Sequence, residues 1–266
     1  GKRGTNDTLQ EAVYRTIAWF SIFEYPVTAF EVYKWMLEPE ELYTLGDIYR
    51  VLDSEWMGEH LQTQDGFYAV KRGSLIGSLI KTRHERFLLA ARKFTKAKCA
   101  ARFLQTIPSI RAVAVCNTLA WSHTTEESDI DFFVITRPGT IWSSRLFAVT
   151  PFALLKKRPE DKGVQDPYCF SFFNTTDSLG LQPYTLDPDP YFAYWTQALV
   201  PLFDQGNVFG SFYKENKWAR QYLPHAEEKQ NTIQAILRKS KVLSGLGAIF
   251  LNHLHGKFKK TKCLMK

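Results

Sequence analysis

Four cysteines are scattered through the 266 residues, Cys99, Cys116, Cys169 and Cys263, and no two of them form a C-x-x-C pair. That spacing argues against a zinc ribbon and against a disulfide framework, and it fits a reducing cytoplasm. Long apolar runs are missing too. The most apolar late stretch, VLSGLGAIFLNHLHG from Val242 to Gly256, is too short to span a bilayer. The opening GKRGTNDTLQ is polar and carries no signal-peptide pattern, and the terminal CLMK ends in Lys, which does not suit a prenylation box. G-x-x-x-x-G-K-[ST], H-E-x-x-H and any Ser/His/Asp arrangement are absent, as are internal repeats and low-complexity segments. P-loop, zincin and triad-hydrolase chemistries are therefore not indicated.

Acidic residues are scarce in one long stretch. Between Leu79 and Ile107 stand Lys81, Arg83, Arg86, Arg92, Lys93, Lys96, Lys98 and Arg102, against the lone acid Glu85. The chain's end adds Lys257, Lys259, Lys260, Lys262 and Lys266, and the net charge is +7. Such runs are either solvated helix faces or surfaces for phosphates. An apolar fraction of 45% with 15% aromatics supplies a real core and excludes a disordered chain.

Periodicity divides the chain into four segments. Residues 1–78 read as three helices and a hairpin. LQEAVYRTIAWFSIF carries a helical apolar repeat. Thr28 caps AFEVYKWML, with Glu31 completing a capping box. Thr44 or Leu45 opens GDIYRVLDSEW, and Asp65-Gly66 turns a hairpin. This order is that of a winged-helix-like module. Its third helix offers Arg50 beside Asp47, Asp53 and Glu55, which suits docking better than reading a DNA groove. Residues 79–108 read as a basic connecting helix ended by Pro108. Residues 109–180 hold three strands, IRAVAVCNT, DIDFFVIT and YCFSFFNT, and a helix, TIWSSRLFAVTPFALLKKR, interrupted at Pro151. Residues 181–266 read as helices joined by loops and a basic tail. The expected fold class is therefore α/β (α+β), with a small mixed sheet flanked by helices.

In the second of these strands Asp129 and Asp131 lie one residue apart. Alternate strand residues share a face, so the two carboxylates point together. Like charges that close repel unless a cation relieves them. Mg²⁺ (or Mn²⁺) accepts carboxylate oxygens and leaves room for phosphate oxygens. The pair thus offers a ledge for metal-dependent phosphoryl chemistry; the plain alternative is a strand end with two solvated aspartates. Ten residues upstream, the small polar turn NTLAW follows a strand and offers backbone N–H groups and the Thr118 hydroxyl to a phosphate.

The stretch VCNTLAWSHTTEESDIDFFVIT resembles the nucleotidyltransferases related to DNA polymerase beta, whose signature is a strand, Gly-Ser, about ten residues and then Asp-x-Asp on the next strand. The resemblance covers about thirty residues. It implies that Asp129 and Asp131 hold the metal and carry catalysis. It further implies that Thr118 stands for the Ser, and that Ser128 and the backbone around Asn117 bind nucleotide. Arg145, on the following helix, either neutralises a triphosphate or is a surface arginine. His123 lies in the loop between the signature halves. Trp142, Trp195 and Trp218 are stacking candidates or core residues. Two departures stand out. Asn117 occupies the place of the Gly, whose missing side chain lets backbone approach phosphate. The third acid of the family has no counterpart in YCFSFFNT, where Ser171 falls at the corresponding position; Asp166 and Asp177 flank that strand.

The expected function is transfer of a nucleoside monophosphate from an NTP to an acceptor, a nucleic acid such as RNA if residues 79–107 and the tail contact phosphates. A degenerate nucleic-acid-binding or regulatory protein with the same fold is the alternative, and a toxin–antitoxin or defence-type nucleotidyltransferase a further one.

Overall fold

The structure, a computed structural model, describes residues 5–161 and 163–226. They fall into two compact units, each assembled from separated stretches of chain. The first takes the residues up to Leu88, Gln182–Gln197 and those from Asn216 onward; the second takes Leu89–Leu181 and Ala198–Glu215. The boundary on the N-terminal side lies inside one continuous helix rather than in a linker.

The first unit begins with α1 (Thr5–Ser21), whose apolar repeat buries Ala12, Val13, Ile17 and Phe20. A short strand β1 (Val27–Thr28) leads into α2 (Ala29–Lys34). Here the capping box is formed in both directions: Glu31 N donates to Thr28 Oγ1 at 3.3 Å, and Thr28 N to Glu31 Oε2 at 2.9 Å. A second box joins Thr44 and Asp47 at the start of α3 (Leu45–Leu52). The helix expected to continue to Trp56 instead stops at Leu52; Ser54 caps a separate α4 (Glu55–His60) through Met57 N. Strands β2 (Leu61–Gln64) and β3 (Phe67–Val70) meet at Asp65 and Gly66, whose φ values of 52° and 76° are those of a type I′ turn. β1 joins them in an antiparallel sheet of order β1-β3-β2. The late stretch contributes aromatics: Tyr194 stacks on Trp19 at 5.1 Å between centroids, and its hydroxyl donates to Trp35 O at 2.8 Å.

The basic helix is α5 (Ile76–Leu104). Its last turns and α7 (Ile141–Leu154) cover one face of the second unit's four-stranded sheet. The strands are β4 (Ile110–Val115), β5 (Ile130–Thr136), β6 (Tyr168–Thr175) and β7 (Val200–Asp204), in spatial order β6-β5-β4-β7. β4 pairs antiparallel with β5 and β7, while β5 and β6 are parallel, joined through α7. The covered face buries Ile130, Phe132, Val134, Tyr168 and Phe170, with Phe132 and Phe170 stacked at 5.1 Å. On the opposite face Phe133 meets Phe212 of α9 (Val208–Glu215) at 5.5 Å. The described residues are therefore mixed α+β with two small sheets.

Three features depart from the sequence reading. α7 runs through Pro151 to Leu154. β7 lies where helix and punctuation were expected; Pro201 is accommodated because β7 is an edge strand with a register shift at that point. After α9, the chain breaks before α10 (Ala219–Tyr222), and at the break buried Asn216 accepts from Trp218 Nε1 at 3.0 Å. Trp195 and Trp218 are buried, whereas Trp142 is 82% exposed on α7. Cys99, in α5, is disulfide-bonded, although the spacing of the cysteines argued against a disulfide framework. No described helix is long and apolar enough to cross a membrane. The tail lysines and the stretch from Val242 to Gly256 lie outside the described residues.

Candidate metal centre

The second unit places the two aspartates at the start of β5. Asp131 is its second residue, and Asp129 immediately precedes it, held extended beside the next strand by Ile130 N donating to Pro167 O at 2.8 Å. In the parallel pairing Asp131 stands opposite Cys169 of β6. Ligand atoms of Asp129, Asp131 and Cys169 all lie within 4.8 Å of one another, and all three side chains are half-buried. The cysteine is a neighbour that the sequence reading missed. That reading looked for the third position near Ser171, but the register shifts between Asp131 and Phe133, so one extra residue of β6 is accommodated just after Cys169. Ser171 consequently lies against the cysteine, with Oγ 2.8 Å from Cys169 Sγ.

On the other side of Asp131 the chain leaves β4. Cys116 N donates to Asp131 O at 3.2 Å, and Asn117 follows with φ of 54°. Asn117 thus adopts the left-handed conformation that Gly would enter freely and that Asn tolerates best among the other residues. The short helix α6 (Asn117–Ala120) starts there, leaving Thr118 exposed. His123, expected in an open loop, is buried, and its N–H bonds Thr118 O at 3.0 Å.

The electrostatics are uneven. Burial and the neighbouring Asp131 raise the Asp129 pKa, against the opposing pull of Lys93 and Arg158. Burial also pushes the Cys169 thiol up, with Ser171 pulling it back and Asp131 reinforcing the rise. Buried Cys116, on the other flank of Asp131, is pushed up by burial, with Asp131 and Cys169 adding to it. Asp129 and the two thiols sit where negative charge is disfavoured unless a cation joins them. The donor set fits a divalent ion: carboxylate oxygens of Asp129, just ahead of β5, and Asp131, in β5, converge with the sulfur of Cys169 in β6.

The remaining candidates are placed elsewhere. The Ser128 hydroxyl is engaged with Thr125 N and Thr125 Oγ1, both at 3.0 Å, so it shapes the loop. Arg145 packs over the Phe173 ring at 5.5 Å. Phe173 opposes Val134 and packs on the covered side of the sheet. Arg145 is thereby set on the face opposite the carboxylates, and the structure does not bring it to them. Asp166 has a fully buried side chain that pairs with Arg92 at 3.1 Å, Lys93 at 3.2 Å and Lys96 at 2.7 Å. Asp177 is exposed and outside the donor group.

The same contacts revise the reading of the basic helix. Arg83 pairs with Glu31 at 2.5 Å, Arg86 with Glu24 at 3.6 Å, and Arg92 also with Glu126 at 2.7 Å. Five of the eight cations counted along α5 therefore have acidic partners within their own unit; Lys81, Lys98 and Arg102 are exposed. Lys93 is the least expected of these. It is wholly buried, and besides Asp166 its ammonium donates to Glu126 O at 3.2 Å and Ser128 O at 2.5 Å. It therefore tethers the loop that delivers Asp129.

No protein-family model, no curated protein and no solved structure matches the chain.

Proposed function

We propose that the chain is a metal-dependent nucleotidyltransferase that moves a nucleoside monophosphate from an NTP to an acceptor hydroxyl. The observation that carries this reading is the convergence of the Asp129 and Asp131 carboxylates, with Cys169, within 4.8 Å at the sheet end where the Asn117 turn begins. In the reaction the acceptor oxygen bonds to the α-phosphorus, and the bond from that phosphorus to the β-phosphate oxygen breaks. Pyrophosphate leaves with the electron pair, and the hydroxyl proton passes to solvent. A bound divalent cation supplies charge neutralisation for the phosphates. The protein's own part is to hold Asp131 in register on β5, to keep Asp129 in place through the Lys93-tethered loop, and to present the exposed Thr118 hydroxyl and nearby backbone to the phosphates.

The acceptor is the less specified partner. A nucleic acid would be held by Lys81, Lys98, Arg102 and the basic tail, since the other helix cations are already paired. One observation favours a second reading, a protein that binds NTP without transferring it. Where a third carboxylate would complete the site stand a thiol and a hydroxyl, Cys169 and Ser171.

Incubation with labelled NTPs, Mg²⁺ or Mn²⁺ and total RNA tests both. Label on RNA that is lost in Asp129→Ala is the expected result. NTP binding without transfer selects the second reading, and absence of metal-dependent NTP binding overturns both. Nucleic-acid binding that does not weaken with rising salt removes the phosphate contacts.

A further inference from the structure

We propose that Cys169 is the third protein ligand of the ion gripped by Asp129 and Asp131, so that the centre takes a thiophilic transition-metal ion of the Zn²⁺ and Co²⁺ kind in preference to Mg²⁺. The inference deepens the proposed function, since it names the cofactor class of the same site, but it concerns metal binding alone and stands or falls separately from transfer.

Asp131 and Cys169 are paired across parallel strands, so their side chains leave the sheet on one face, side by side, at positions that strand pairing holds fixed. Asp129 reaches the same group from one residue before the strand. With Zn–S near ~2.3 Å and Zn–O near ~2.1 Å, a sulfur and an oxygen on opposite sides of one ion stand at most about 4.4 Å apart. The donor atoms here already lie within 4.8 Å, so small side-chain rotations close the set.

Donor chemistry then selects the ion. Three carboxylates would suit Mg²⁺, which demands oxygen ligands and gives up its water reluctantly. Exchanging one carboxylate for a thiolate keeps the count but changes the softness, and sulfur favours ions of the zinc class. The second layer agrees. The Ser171 hydroxyl, 2.8 Å from Cys169 Sγ, is placed to donate to a sulfur that has given up its proton. Cys116, just after β4, flanks Asp131 but lies outside the donor group, so it provides an internal control.

The test is titration of the full reduced chain with Co²⁺, read by absorption and by equilibrium dialysis. A near-ultraviolet thiolate-to-cobalt charge-transfer band is expected. The band should persist in Cys116→Ser and under excess Mg²⁺, and it should be lost in Cys169→Ser. Co²⁺ affinity in that variant should fall by on the order of tenfold or more, at least what a lost outer-layer partner costs. Cys169→Asp, which restores an all-carboxylate set, should show no band and should bind Mg²⁺ more tightly than the parent. Circular dichroism of each variant checks that it is folded. Three results overturn the proposal: cobalt bound without the band, a band unchanged in folded Cys169→Ser, or no cation bound by the parent chain. Nucleotidyl transfer measured on the same samples separates the two claims. The band without transfer leaves the ligand assignment standing and counts against the enzyme, while transfer without the band does the reverse.

Discussion

Asp166 and Asp129 are acids of the same unit, yet they live in opposite surroundings. The Asp166 side chain is fully buried, and three cations within 3.2 Å hold its carboxyl below the ordinary range despite the cost of burial. Asp129 is only half-buried, but burial and its neighbour Asp131 drive its carboxyl upward. A charge that the fold has enclosed and compensated is part of the scaffold. A charge that the fold holds beside another of the same sign is a place for something positive to arrive. Lys93 links the two, pairing with Asp166 while binding the loop carbonyls just ahead of Asp129.

The comparison breaks most visibly when the compensated acid is removed. Asp166→Asn leaves buried Lys93 without its counter-charge, and a loss of about 3–5 kcal/mol in urea unfolding is expected. Lys93→Met should cost about 3 kcal/mol in the same assay, because Arg92 and Lys96 still face Asp166. It should also weaken cation binding, since the loop ahead of Asp129 loses two bonds. At the other site the sign reverses. Asp131→Asn should abolish cation binding in calorimetry while leaving the metal-free unfolding midpoint unchanged or higher, because a repulsive contact is relieved.

Acid titration sharpens the contrast. The folded pKa of Asp166 lies below that of the unfolded chain, about 3.9, so the unfolded state takes up its proton first. Its contribution is complete above that value and is lost as pH falls toward the folded pKa. Asp129 has a raised folded pKa, so ionised Asp129 weakens the metal-free fold at neutral pH, and protonation relieves it as pH falls through that pKa. Stability curves of Asp166→Asn and Asp129→Asn against the parent should therefore diverge from it in opposite senses. The smallest effect is expected at the rim of the cationic cluster. Arg92, partly exposed, should cost about 1 kcal/mol or less on change to Ala, a loss that added salt reduces.

Local signals in the sequence carried far. Thr28 with Glu31 and Asp65 with Gly66 mark their helix start and turn because the partners lie within three residues of each other. The limits of β6 match the apolar run Tyr168 to Thr175. The proximity of Asp129 and Asp131 was legible for the same reason. What was hidden depends on register and on distant pairing. Cys169 meets Asp131 only through the alignment of two parallel strands, and an extra residue after it displaces Ser171 from the expected position. Arg145 looked available until α7 was seen to carry it to the other face. Pro201 read as a break because nothing nearby tells that its strand is an edge. The cations of α5 looked like a solvated face or a phosphate surface because their acids, Glu31, Glu126 and Asp166, are more than thirty residues away.

The interleaving of the two units governs how the protein is made. The first unit waits for the stretch around Tyr194, and the second for the strand containing Pro201, so neither is complete when the ribosome has released only the first 181 residues. The four-stranded sheet lacks its β7 edge, and the first unit lacks the ring that stacks on Trp19, until late in synthesis. Fragments cut between Leu181 and Gln182 should accordingly be poor material for isolating either half.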